Sequence, residues 1–409
     1  MSKLKVVANE SQAHFLDIDE LIRAGARDII ANAIKAELQV MLDRHQHLQT
    51  AEGLQGIVRN GFLPKRTVVT PIGDVPVQVP KVRDRTGSGI KFNSSIIPPY
   101  LKRSKKLEEF IPWLYLRGIS SGDMSNTLSA LIGEKHLISP DLVGKLKQGW
   151  EKEFNTWKHR SFKEKTFVYI WADGIYSNVR MDDRLCILVV MGVDEFGHKH
   201  LLAVHDGVRE SEQSWTEVLV DLTQRGLNAP KLAIGDGALG FWKALSKICP
   251  STAHQRCWVH KTANVLNKLP KSAQSGAKQA LHEIWMSSTK ANAQQAFSVF
   301  ERSYQDKYPK AVECLVKDRA SLMNFYDFPA AHWQHIRTSN PIESTFATIR
   351  LRTTRTKNCG SQLTTLAMIF KLAECASKGW RKLKGFAHLA EIIQGVQFKD
   401  GIQVQEIAA

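Results

Sequence analysis

The chain has 409 residues, 43% of them hydrophobic, and its 56 Lys and Arg outweigh 40 Asp and Glu to give a formal net charge of +16. That size and apolar fraction support more than one core and exclude a disordered chain, while a sequence pI near 9.5 points to a polyanionic partner, nucleic acid well ahead of an acidic membrane surface. The N-terminus MSKLKVVANESQ has no apolar h-region and no stretch crosses a bilayer uninterrupted by charge, so a cytoplasmic, nucleoid-associated protein without a membrane partner is expected.

The six cysteines are scattered, which argues for reduced thiols and against a disulfide framework. In chain order, DIDELIRAGARDIIANAIKAELQVML has apolar residues at helical intervals and predicts an amphipathic helix or helix pair within an N-terminal helical region, 1–55. Residues 56–105 follow as a basic segment: eleven Lys or Arg stand against Asp74 and Asp84 over 59–106. Its alternating valines, with a Gly-Asp turn at 73–74, predict a β-hairpin carrying Arg59, Lys65, Arg66, Lys81, Arg83 and Arg85. Such a ribbon suits a phosphate backbone; a solvated edge hairpin guarded by charge is the alternative.

Residues 106–160 read as helix, short turn, helix, loop, helix: an apolar helix ends near Gly118, Ser120 or Ser121 caps a second through about Ile132, and Ser139-Pro140 opens a third. This is the outline of a helix-turn-helix module, with Lys145 and Lys147 on the helix expected to meet DNA.

Three strand-like runs come next, TFVYIWADGIY, RLCILVVMGVD and HKHLLAVHDGV, with a turn at EFGH between the last two. An amphipathic helix, the short strand of KLAIGDGALG and a further helix, FWKALSKI, complete a first catalytic stretch, 161–265. Three antiparallel strands and then two parallel ones is the order of a ribonuclease H-like α/β sheet, in which the first and fourth strands are neighbours. Asp173 and Asp236, each ending a strand and followed by glycine, would then meet. Paired carboxylates repel unless a divalent ion lies between them, and two ions about 4 Å apart suit in-line displacement at phosphorus. Gly174 and Gly237 would leave room for the phosphodiester; the alternative is that each Asp closes an Asx-type turn.

From 266 to 335 the chain is rich in Ala, Gln and Lys at helical spacing and shows no convincing strand, and 336–409 follows as further helices. There, SNPIESTFATIRLRTTRT places Pro341 at the first helical position, Asn340 at the N-cap and Glu343 at the third, which suits a third site acid and a capping box equally. Arg350, Arg352 and Arg355 begin a basic block that runs to Lys384 with one acid, Glu374. Cys249, His254, Cys257 and His260 crowd four potential ligands into twelve residues, a spacing that does not suit zinc. Trp258 between the last two is read as core, with stacking on a flipped base as the alternative.

DGIY, IGDG, QRCWVHK and TSNPIE, in that order over roughly 55–395, resemble the Mutator-type transposases of bacterial insertion sequences, in the DDE superfamily. The resemblance implies that Asp173, Asp236 and Glu343 are the catalytic, metal-holding triad and that Cys257, Trp258 and His260 support the active site. It also implies that 266–335 is a helical insertion within the catalytic core, which resumes at 336–409, and suggests a copy-out route. The carboxylates call for two Mg2+, with Mn2+ an acceptable substitute, and joining two ends requires two active sites, so a homodimer on terminal inverted repeats and target DNA is expected. A transposase-derived DNA-binding regulator and a ribonuclease H-like nuclease that only cleaves are the rival readings.

Overall fold

The computed structural model describes residues 17–120, 123–132, 140–178, 184–355 and 361–404. Contacts divide it into two compact units, Met1–Pro140 and Asp141–Ala409. In the first, helix α1 (Ile18–Arg44) precedes strands β1 (Ile57–Phe62), β2 (Arg66–Thr70), β3 (Gly73–Val77) and β4 (Pro80–Asp84), then helices α2 (Lys105–Leu116) and α3 (Met124–Ile132). One face of α1 supplies Ile34 and Leu38 to a core shared with Val68, Val75, Val77 and Val79. Each such side chain contributes about 1.5–3 kcal/mol on burial.

The basic segment is two separate two-stranded ladders, β1 with β4 and β2 with β3, rather than one hairpin. Its tight turn also lies two residues earlier than the sequence suggests, because Thr70 pairs with Gly73 across Pro71 and Ile72. Proline presets the turn at Pro71, and Gly73 takes the positive φ, +100°, that lets β3 start at once. The Asp123 N–H donates to Ser120 Oγ at 3.1 Å, so Ser120 caps the turn into α3. Ser121 and Ser139 lie outside the described residues.

The second unit opens with α4 (Pro140–Lys158), so the segment expected as one helix-turn-helix divides, α2 and α3 in the first unit and α4 in the second. Strands β5 (Phe167–Asn178), β6 (Arg184–Asp194) and β7 (Lys199–Gly207) lead to α5 (Glu212–Gln224), β8 (Leu232–Gly235), α6 (Leu239–Ile248) and β9 (Ala253–Arg256). They form one five-stranded mixed sheet in the order β7-β6-β5-β8-β9. The pairs β7–β6 and β6–β5 are antiparallel, and β5–β8 and β8–β9 are parallel.

Alternation along β5 sorts its side chains. Ile170 and Ala172 enter a core with Leu188, Val190, Trp215 of α5 and Phe241 of α6. Tyr169 and Trp171 face the other way, where the Tyr169 hydroxyl meets His332 Nδ1 at 2.8 Å and the Trp171 indole donates to the His335 carbonyl at 3.1 Å. Asp173 shares their parity and so their face. It does not end its strand as the sequence suggests: β5 continues to Asn178 because β6 keeps pairing with it, from Asp173 opposite Val189 to Asn178 opposite Arg184. What ends is the parallel ladder, at Ala172 opposite Gly235.

Beyond β9, the described chain is helical up to the next site element: α7 (Trp258–Leu266), α8 (Lys271–Met286), α9 (Lys290–Tyr304), α10 (Pro309–Val316), α11 (Arg319–Leu322) and α12 (Trp333–Ile336), with short 3-10 turns before α12. Then come α13 (Asn340–Arg355), α14 (Gln362–Ser377) and α15 (His388–Ile393). Helix α4 is fixed to α14 through Trp157 and Phe370, ring centroids 4.7 Å apart, and through Lys371 to Glu153 at 2.7 Å. Among the described residues every cysteine is free, and no helix is long and apolar enough to cross a membrane.

A Cβ on Gly73 would lie 3.2 Å from the Ile132 carbonyl oxygen. Combined with the positive φ, Gly73→Ala is expected to cost roughly 1–2 kcal/mol in urea unfolding of this unit. An unchanged midpoint contradicts the turn described.

Candidate active site

Asp173 and Asp236 are the next residues after the last pair of the parallel β5–β8 ladder. Asp173 is 7% exposed, and its Oδ1 accepts the Gly174 N–H at 2.8 Å. Burial first, then the charge of Asp236, pushes its carboxyl up to about 7, with nearby His260 working against the rise and Glu343 adding slightly to it. Asp236 Oδ1 accepts the Ala238 N–H at 2.9 Å. The Asx-type turn is therefore formed at Asp236, in the same geometry that brings the two charges together.

Glu343 arrives from α13, whose N-cap is Ser339 rather than Asn340: the Ser339 carbonyl accepts the N–H groups of Ile342 and Glu343 at 3.0 and 3.1 Å. With Ser339 as the N-cap, Glu343 falls at the fourth helical position and the expected capping box does not form; the Ser339 N–H donates to Cys257 Sγ at 3.2 Å. The Ser339 hydroxyl instead donates to Glu343 Oε1 at 2.8 Å, and His260 Nε2 stands 3.7 Å from that oxygen. Asp173 and Glu343 thus both bear on one imidazole, while Asp236 bears on Asp173. A hydrogen bond with Cys257 first, against burial, and then the charges of Cys257, Asp173 and Glu343 raise His260 to about 9.

Cys257 is fully buried directly after β9, and its N–H donates to the Gly235 carbonyl at 2.8 Å, tying α7 to β8. Burial raises its thiol, but the bonds with His260 and Ser339 outweigh that and hold it below the usual thiol range. Trp258 is core, fully buried with its indole donating to the Leu322 carbonyl at 2.8 Å, and so unavailable to stack on a base. The crowded ligand run does not close on itself; Cys257 and His260 converge with Glu343, their ligand atoms within 4.8 Å of one another.

Sequence reading missed Glu210, in the loop between β7 and α5. Its carboxyl occupies the space over Gly174, 2.6 Å from where a Cβ would stand. Its Oε2 is buried without a hydrogen-bond partner among the described residues. Burial first, then Asp236 and Asp173, raises it to about 7, with His260 opposing. Neither glycine is open space as expected, since the Arg256 guanidinium fills the place over Gly237 that a Cβ would take. No local pattern announces Glu210; only the chain's path from β7 brings it to the two aspartates.

The expected DNA-contacting residues fall in several places. Lys81, Arg83 and Arg85 are exposed at alternate positions of and just past β4, and Arg59 and Lys65 are exposed nearby. Arg66 is used internally, donating to the Ile97 and Pro98 carbonyls at 3.1 and 2.6 Å. On α4, Lys145 is exposed and Lys147 half-buried. Arg350 is exposed, its guanidinium 5.8 Å from the Phe346 ring centroid; the side chains of Arg352 and Arg355 lie outside the described residues.

A family model described as Transposase, Mutator family, matches residues 1–382. The chain belongs to the Mutator family of transposases. It is 51% identical over 282 residues, 68% of this chain and 95% of the relative, to the transposase for insertion sequence element IST2 of Acidithiobacillus ferrooxidans. It is 45% identical over 297 residues, 72% of this chain and 92% of the relative, to the transposase for insertion sequence element IS6120 of Mycolicibacterium smegmatis. A more distant match, 24% over 374 residues, 90% of this chain and 92% of the relative, is the transposase for insertion sequence element ISRM5 of Rhizobium meliloti. Membership in the Mutator family implies a DNA-cleaving and strand-transferring enzyme.

The electrostatics give a sign. Raised carboxyls at Asp173 and Glu210 bind protons in the native state that the unfolded chain has released. Their contribution is therefore full below about pH 4 and lost by about pH 7. In EDTA, Asp173→Asn is expected to raise stability at pH 8 by roughly 1–4 kcal/mol over the wild type, with a much smaller gain at pH 5. Equal gains at both pH values, read by thermal melting, contradict the buried-repulsion account.

Proposed function

We propose that this transposase binds the terminal inverted repeats of its insertion sequence and cuts and joins strands at a site built from Asp173, Asp236 and Glu343. The observation that carries the reading is that Asp173 and Asp236 follow the last pair of one parallel ladder, while Asp173 and Glu343, distant in sequence, both bear on His260. The sheet order, with three antiparallel strands followed by two parallel ones, supports a ribonuclease H-like core interrupted by the helical segment 266–335.

The donor set fits magnesium: buried, mutually repelling carboxylates, one with an unsatisfied oxygen, are hard oxygen ligands short of a cation. Asp173 and Asp236 would hold the ions, with Glu343 from α13 and Glu210 beside them, and Mn2+ would replace Mg2+. Two bound ions supply Lewis-acid activation of the attacking oxygen and neutralisation of the leaving one. The protein's own part is positional. The Gly174 and Ala238 N–H groups fix one oxygen of each aspartate, and the Ser339 hydroxyl and His260 orient Glu343. Protonated His260 offsets the carboxylate charges in the absence of the cations and keeps the acids in place for them.

Attack of water on the phosphodiester at the element end frees a 3′ hydroxyl and leaves the phosphate on the flanking strand; that hydroxyl then attacks a second phosphodiester, whose own 3′ oxygen leaves as a hydroxyl, so the strands are joined without a covalent protein intermediate. Joining two ends takes two sites, so the working form is a homodimer on DNA. The exposed cations Lys81, Arg83 and Arg85 are assigned to the phosphate backbone of the repeat.

With a duplex made from the DNA flanking the gene and Mg2+, purified Asp173→Asn protein is expected to bind as the wild type does and to leave the strand uncut on a denaturing gel. Nicking by that variant at the wild-type position contradicts the assignment. Glu343→Gln is expected to fold with a melting temperature close to that of the wild type and to lose at least ~100-fold in cleavage, the scale of a lost transition-state electrostatic contact. A loss of stability with cleavage retained reduces Glu343 to a structural residue.

A further inference from the structure

Beside the carboxylates lies a cavity of about 840 Å3 lined by charges of both signs. Asp236, Glu210 and Asp318 line it together with Arg256, Lys261 and Lys317. Arg256 ends β9, is 4% exposed and carries a guanidinium of which one edge is used. Its Nε donates to Asp318 Oδ2 at 3.2 Å, Nη2 lies over the bare backbone of Gly237, and Nη1 is buried with no partner among the described residues.

The same Asp318 oxygen also serves Lys261, itself fully buried, whose Nζ donates to the Cys314 carbonyl at 2.7 Å as well. Two buried cations therefore share a single carboxylate. A buried guanidinium with an idle nitrogen is costly unless an anion completes it, and Arg256 lines the same cavity as Asp236 and Glu210, where the strand is to be cut. Glycine at 237 is what allows the guanidinium to pack so close to the residue after Asp236; a Cβ there would occupy its position.

We infer that Arg256, backed by Lys261 and Asp318, forms a phosphate-binding subsite for the DNA strand, receiving a phosphodiester next to the one being cut. This rests on the cleavage reading of the neighbouring carboxylates. A cation placed on the neighbouring phosphate fixes the strand's register over the acids, so that a single bond is presented for cleavage. The fork of a guanidinium suits two phosphate oxygens better than an ammonium does.

The test uses full-length protein and the flanking duplex, with neutral methylphosphonates placed singly across the cleaved region. In the wild type, one position beside the cut is expected to weaken binding roughly tenfold, as for loss of a charge-assisted hydrogen bond. Arg256→Gln is expected to weaken the unmodified duplex by a similar factor, to lower the salt slope of log Kd by about 1, and to show no further loss with that methylphosphonate. Arg256→Lys is expected to recover part of the slope.

A folded Arg256→Gln protein with the wild-type slope and wild-type methylphosphonate penalties overturns the subsite. Should the glutamine variant melt far below the wild type, Gly237→Ala, which displaces the guanidinium while keeping the charge, carries the same comparison. Absence of any sensitive phosphate beside the cut in the wild type overturns the subsite without a variant. Failure of the wild type to cut the flanking duplex at all refutes the cleavage reading instead, so the two failures are told apart.

Discussion

Like charges forced together under one roof set the terms for this structure. A parallel ladder that ends at Ala172 and Gly235 delivers Asp173 and Asp236 side by side, and the turn after β7 adds Glu210 above Gly174. None of these carboxylates is stabilised by a lysine or arginine ion pair among the described residues. What offsets them is one imidazole, His260, which the Cys257 thiol, Asp173 and Glu343 keep protonated into the alkaline range. The remainder of the second unit positions that imidazole: Cys257 is locked to Gly235, Ser339 bonds to Cys257 and to Glu343, and α7 and α13 start where those bonds fix them.

This arrangement explains why a buried residue as unusual as Cys257 sits between β9 and α7. A thiol is small enough to lie beneath the start of α13, and it accepts from Ser339 and interacts with His260 together. The site is thus held by the starts of two helices as well as by the ends of two strands. Outward from it, Arg256 packs over Gly237 and shares Asp318 with Lys261, so cations and acids line the neighbouring cavity together.

Much of this was legible in the sequence where chemistry and periodicity are local. The strand runs around Asp173 and Asp236, the helix that carries Glu343 and the helical stretch after Leu266 all show in their own residues. The illegible parts depend on partners elsewhere in the chain. Nothing in DGIY tells that β6 extends β5 five residues past Asp173. Pro71 and Gly73 compete for the turn, and the pairing of Thr70 with Gly73 decides it. Asn340 and Ser339 are equally good caps by type, and the choice falls to Ser339 because its carbonyl accepts the first helical N–H groups while its own N–H reaches Cys257. The glycines after the aspartates looked like open space but are filled by Glu210 and Arg256, whose arrival depends on the fold alone.

The central claim is that these carboxylates are arranged for divalent cations. Anomalous scattering from crystals of the DNA complex soaked in Mn2+ tests it most directly. The account predicts Mn2+ peaks between Asp173 and Asp236, with Glu343 within ligand distance of one of them. Peaks confined to Cys257 and His260, or an Asp173–Asp236 pair that stays empty at saturating Mn2+, would contradict it.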